Sequence, residues 1–152
     1  MNPQAAQKYL RTKVLTATPE QLQMMLFDGA VRFCEQARVA LEKNHYEQGH
    51  KALTDAQAIV NQLISALNHT VNEDLCNKLK SLYVYAYKNL VDANINHKME
   101  SLDEGLKVLK YQRETWMLLM QQLAKQKAAA AAATLDIPAP NDRMEASISM
   151  QG

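Results

Sequence analysis

The stretch TPEQLQMMLFDGAVRF, Thr18 to Phe33, decides the fold. Thr18 suits a helix N-cap. Pro19 suits the first helical position, where a missing N–H is no loss, and Gln21 can reach back to close a capping box. The helix begun there should run from about Pro19 to Glu42. Leu22, Met25 or Leu26, Gly29, Phe33, Ala37 and Leu41 recur at helical spacing and form the expected inward stripe. Gly29 stands mid-helix, where glycine costs about 0.5–1 kcal/mol relative to alanine. That cost implies the close approach of a neighbouring helix or of the preceding segment. Met24, Phe27, Val31 and Cys34 make a second apolar stripe beside the first.

The same reading extends down the chain. KNHY marks a turn, and a second helix is expected from about Tyr46 to Leu67, with Ala52, Leu53, Ala56, Ile59, Val60, Leu63 and Leu67 inward. NHTVN is the next break, and Asn72 suits an N-cap. A third helix is expected from about Glu73 to Asn96, with Leu75, Leu79, Leu82, Ala86, Leu90 and Ala93 inward. Ser101 with Glu104 reads as another capping box. The fourth helix then runs from about Leu102 into the alanine run, with Leu102, Leu106, Leu109, Trp116, Met120 and Leu123 inward. Each helix is about 35–40 Å long at 1.5 Å per residue. Short connections force neighbouring helices antiparallel, so the expected fold is all-α: an up-down four-helix bundle. The expected organisation is a flexible leader over 1–17, the bundle over 18–127, and an alanine-rich extension with a disordered tail over 128–152.

Composition narrows the function classes. The formal net charge is +1, with Lys and Arg scattered among Asp and Glu, so nucleic acid is not an expected partner. The start of the chain has no apolar signal-peptide core, and no run of about 18 apolar residues is present to insert in a bilayer. A cytosolic location is expected. Cys34 and Cys76 have neither disulfide nor metal-ligand spacing.

Candidate chemistries fail on spacing. Glu42/His45 and Glu47/His50 are both ExxH pairs, the unit that grips metals in di-metal bundles. They straddle one turn, and the core stripes supply no further Glu. A phosphotransfer bundle needs an exposed mid-helix His, whereas His45, His69 and His97 fall at helix ends or turns and His50 near a helix start. Cys34 in a helix interior reads as a small buried hydrophobe rather than a nucleophile. No nucleophile elbow or glycine-rich phosphate loop is present. No enzyme activity and no cofactor or metal is expected.

What remains is surplus apolar surface. A bundle helix needs about three apolar positions per heptad. Beyond its core stripe the third helix adds Tyr83, Val84, Tyr87, Val91 and Ile95, and the fourth carries WMLLM, Trp116 to Met120. Extra apolar faces on three helices favour a groove for a helical or extended partner. Eight Met residues suit an adaptable surface. Tyr9, Leu10, Val14 and Leu15 of the leader either fold back over that groove or staple the start of the first helix. A self-associating bundle, closing its extra faces in a homodimer, is the alternative.

Four segments together resemble the FliS family of flagellar secretion chaperones for flagellin: TATPEQLQMMLFDGAVRF, AQAIVNQLISALN, LKSLYVYAYKNLVDANINHKMESLDE and RETW. The resemblance covers about residues 5 to 125, and Ala128 to Gly152 lies outside it. It implies a cytosolic antiparallel four-helix bundle without catalysis. It also implies binding of the disordered C-terminal region of flagellin, which wraps the bundle, is kept from premature polymerisation and is delivered to the flagellar type III secretion apparatus. Export gate components or other flagellar regulators are further partners left open. In the family the N-terminal Tyr segment lies near the binding surface and can cover part of it, a role carried over to Tyr9 and Leu10. With them, Met24, Phe27, Ile59, Leu63, Tyr87, Val91 and Ile95 are the candidate flagellin-binding residues, a set that mixes groove and core.

Overall fold

The computed structural model describes residues 2–135. Five helices follow one another: α1 (Pro3–Thr16), α2 (Pro19–Glu42), α3 (Tyr46–Ser65), α4 (Glu73–Asn96) and α5 (Met99–Leu135). The chain divides into two compact units, Met1–Met117 and Leu118–Gly152. In the second, the described stretch of α5 presents Leu118, Leu119, Leu123 and Leu135 to solvent. The expected disordered tail falls outside the described residues from 136 onward.

Contacts across the first unit establish the up-down order. A Cβ on Gly29 would meet Ile59, and one on Gly49 would meet Leu41, so α2 and α3 run antiparallel. His50 near the start of α3 bonds Asn94 near the end of α4. Tyr85 donates its hydroxyl proton to Glu104, and Ser101 donates to Asp92, which sets α5 against α4. Arg38 then reaches Asp103 at 2.9 Å and Lys110 reaches Glu35 at 2.7 Å, so α5 returns beside α2 and closes the ring of four. The expected antiparallel bundle is the observed one.

Local sequence explains the ends. Thr18 and Gln21 form the capping box, with Gln21 N–H donating to Thr18 Oγ1 at 3.2 Å and Thr18 N–H donating to Gln21 Oε1 at 3.0 Å. Asn72 caps α4 by accepting from the Leu75 N–H. The tight α2–α3 and α4–α5 turns each need a left-handed residue, supplied by Asn44 (φ 58°) and His97 (φ 53°). Asn and His tolerate that region better than most non-glycine residues. At this end of the bundle Tyr46 stacks on the His97 ring at 4.2 Å.

The structure refines or corrects several expectations. The leader, expected as a flexible segment, carries a helix: residues 3–16 form α1, capped by Asn2, and none of its residues is buried. The expected capping box at Ser101 does not start α5, which begins at Met99. The Ser101 hydroxyl and the Glu104 carboxylate are engaged instead in cross-helix bonds to α4. On α2 the core is centred on the second apolar stripe: Phe27, Val31 and Cys34 are buried with Ala30, Ala37 and Leu41, while Leu26 and Phe33 are half-buried at its flank. One residue is 100° around a helix, so the inward direction lies one position away from the expected stripe. Leu22 and Leu75, expected inward, are exposed, each in the first turn of its helix.

The core itself is narrow. Ala30, Ala37, Ala56, Ala86 and Ala93 have no exposed surface, and Leu53, Val60, Leu63, Leu90, Leu102 and Leu109 fill the space between them. Gly29 does meet a neighbour, but the neighbour is the tip of a side chain: a Cβ there would lie 3.1 Å from Ile59 Cδ1. The closer approach is at Gly105, where a Cβ would lie 3.0 Å from Leu90 Cδ2 and 3.3 Å from the Ala86 carbonyl oxygen.

Two predictions follow from this packing. Gly29→Ala should leave Tm unchanged or raise it, because Ile59 can turn its terminal methyl aside and the helix gains about 0.5–1 kcal/mol of propensity. Gly29→Leu and Gly105→Ala should each destabilise by about 1–3 kcal/mol, the second because a backbone carbonyl cannot yield. Urea titration of the three variants checks this, and equal stabilities for the two alanine variants would refute it. The second prediction concerns acid. The Ser101 hydroxyl, then Asn96 and the Lys98 charge, hold the Asp92 carboxyl below its usual range. A lowered folded pKa stabilises at pH above the unfolded value, about 3.9, and is lost as pH falls through the folded one. Asp92→Asn should therefore lower Tm at pH 7, and the gap should close in melts below about pH 4.

Candidate functional site

Neither buried thiol offers chemistry. Cys34 has no exposed surface. Burial, helped by the adjacent Glu35 charge, pushes its thiol up to about 12, so the reactive thiolate is absent at neutral pH. Cys76 is also buried and donates its S–H to the Asn68 carbonyl. Of the histidines weighed for metal binding or phosphotransfer, His50 hydrogen-bonds Asn94 at 2.8 Å and His97 lies against Tyr46. Asn94 in turn donates to Gln57 at 2.9 Å, so this group clasps α3 to α4. Among the described residues no cluster of three or more His, Cys, Asp or Glu could hold a metal.

The surface that stands out is apolar. The segment YVYAY shows how one helix is divided between core and solvent. Residues four apart share a face, and residues two apart lie nearly opposite. Tyr83 is buried with its ring 6.4 Å from that of Phe27, and burial pushes its phenol up to about 12. Tyr87 lies one turn on and is half-buried, whereas Tyr85 points out. Continuing from Tyr87 at four-residue steps come Val91, half-buried, and Ile95, which is 70% exposed. Tyr87, Val91 and Ile95 thus form one stripe on α4 that emerges from the core towards the end of the helix.

The remaining candidates do not join that stripe. Phe27, at 2% exposure, and Leu63, at 0%, are core residues with no surface to present. Ile59 is half-buried where α3 meets Gly29 of α2. Met24 lines a groove between α2 and α5, with Asp28, Arg113 and Met117. Tyr9 and Leu10 are exposed on α1. Sequence reading passed over Tyr85 and Tyr111, both exposed, on α4 and α5. The alternation of three tyrosines in YVYAY was the available signal for Tyr85; Tyr111 had none.

The motif residues of α2 and α5 have a structural task. Trp116 donates its indole N–H to the Glu20 carbonyl at 3.0 Å. Arg113, one turn earlier, lies 4.0 Å from Asp28. The R-x-x-W segment therefore holds α5 against the first turns of α2, and the L-F-D-G-A segment supplies Asp28 for that contact and Gly29 for the contact with α3.

The family model described as flagellar protein FliS matches residues 1–123. The chain belongs to the FliS family. Its relatives include the flagellar secretion chaperone FliS of Bacillus subtilis (strain 168), 32% identical over 126 residues, covering 83% of this chain and 92% of that protein. The FliS chaperone of Salmonella typhimurium is 29% identical over 124 residues, covering 81% and 92%. A bacterial flagellar chaperone known from a crystal structure shares the fold at a TM-score of 0.64 and 18% identity, over 78% of this chain and 97% of that one. FliS membership supports a role as an export chaperone in flagellum biogenesis. Among the described residues no helix is long and apolar enough to cross a membrane.

The thiols give a direct check on the packing of this FliS chain. In native buffer Cys34 should resist an aromatic disulfide reagent for as long as the protein stays folded, and two thiols per chain should react at once in denaturant. Rapid native labelling of Cys34, read by peptide mass, would mean that α2 opens locally.

Proposed function

We propose that this FliS protein is a cytosolic export chaperone that binds the disordered C-terminal region of flagellin, blocks its premature polymerisation and aids its delivery to the flagellar type III secretion apparatus. The observation that carries the reading, beside family membership, is the Tyr87–Val91–Ile95 stripe, apolar surface on a helix whose core face is already filled. A disordered segment loses conformational entropy on binding, at a cost of about 2–5 kcal/mol, which burial of its apolar residues against such a stripe must offset. Wide wrapping with modest affinity per area suits cargo that has to be released. Tyr9 and Leu10 on α1 are proposed to cover part of the same surface when cargo is absent. The mechanism is holding without turnover.

Calorimetric titration with a peptide from the C-terminal end of the same organism's flagellin tests this. A 1:1 isotherm with a large negative heat-capacity change is expected. Ile95→Asp should weaken binding by about tenfold or more by placing a charge where apolar surface is buried, with stability changed by less than about 0.5 kcal/mol. Deletion of residues 1–16 should alter the affinity. No heat at several temperatures from a folded sample would overturn the reading, and a concentration-dependent dimer in sedimentation would then favour self-association.

A further inference from the structure

A second surface lies on the outer faces of α2 and α3, near the turn that joins them. It is a groove of about 620 Å³ whose floor includes Val39, Ala40 and Ala52 and whose cationic side chains are Arg32, Lys43 and Lys51. Its acid, Glu35, is engaged by Lys110 at 2.7 Å, and Lys51 is engaged by Asp55 at 3.1 Å. Among the described residues Arg32 and Lys43 enter none of the ion pairs. Both line the groove without a neutralising partner. The Arg32 guanidinium lies 5.3 Å from the Phe33 ring centroid, which limits its freedom and holds the charge in place. Arg32 and Lys43 are eleven positions apart, roughly 16 Å along the helix. Between them Val39 is 49% exposed.

We infer that this groove docks an acidic segment of a partner protein, with two carboxylates set about 16 Å apart on Arg32 and Lys43 and an aliphatic side chain between them on Val39. In an extended segment alternate side chains share a face, so carboxylates about four residues apart, at roughly 3.3 Å each, face the groove together with the side chain midway between them. The long Arg32 and Lys43 side chains close the remaining few ångströms. A protein segment fits better than nucleic acid. Two free cations neutralise too few phosphates for polyanion binding. The chemistry also differs from that of the α4 stripe, which is apolar and lies on another helix. This surface would let a second, acidic partner bind while cargo is held.

The test uses the full chain and a labelled peptide carrying two aspartates about four residues apart with a leucine midway between them. Its Asp→Asn counterpart and a short single-stranded DNA serve as controls. Anisotropy should show binding of the acidic peptide alone, weakening as salt is raised. Arg32→Gln with Lys43→Gln should weaken it by about tenfold, with an unchanged thermal melt and unchanged flagellin-peptide binding. Amide shifts should concentrate at Val39, Ala40 and Ala52, and Ile95→Asp should have no effect. Absence of binding, binding undiminished in the double variant, or equal competition by the DNA would each overturn the inference. Because the two sites are tested with different peptides and different variants, failure here is distinguishable from failure of the flagellin reading.

Discussion

The narrowness of the core constrains everything else. Alanines at the centres of α2, α3 and α4, and Gly105 on α5, bring the helices close enough that one layer of Leu and Val fills the interior. Helix separation follows the size of the side chains at the contact, and small residues draw it in. A narrow core has no room for every apolar residue the helices carry. Tyr85, Ile95 and Tyr111 are left outside, and Tyr87 and Val91 stand half in. In an ordinary monomer that surplus would be a liability. In an export chaperone it is the surface we propose for holding a client, because a disordered segment can be held only where apolar area is still uncovered.

Polar contacts set the register of this tight bundle without contributing much individually. Arg38 with Asp103, Lys110 with Glu35 and Arg113 with Asp28 line the α2–α5 seam. Such exposed pairs are typically worth only about 0–1 kcal/mol each. Their value lies in position: with the Trp116 indole on the Glu20 carbonyl, they allow one axial alignment of α5 on α2. The His50–Asn94–Gln57 group does the same for α3 and α4. Alignment matters because the exposed stripe on α4 exists only at the register that buries Tyr83 and Leu90.

Much of this was legible from residues alone. The α2 start was readable because Thr18, Pro19 and Gln21 act locally, through bonds within one turn. The α3 core face was readable because its apolar positions lie on one side only. The α2 core face was not, since two adjacent stripes are both apolar and nothing local chooses between them. Ser101 and Glu104 misled for the opposite reason: they carry a good local capping signal, but cross-helix bonds to Asp92 and Tyr85 take both side chains. Phe27 and Leu63 entered the candidate binding set because hydrophobicity does not distinguish a core residue from a groove residue.

The sequence by itself determined that this chain is an all-helical bundle with more apolar surface than a core consumes, and its ordered motifs place it with the flagellar chaperones. Those properties depend on spacing, capping and composition, which act over a few residues. Only the tertiary structure decided which stripe faces inward, that Gly105 rather than Gly29 makes the tighter approach, and that Arg32 and Lys43 share one groove. Each of these depends on how helices distant in sequence are rotated and aligned against one another, and that is settled by the packing of all four helices at once.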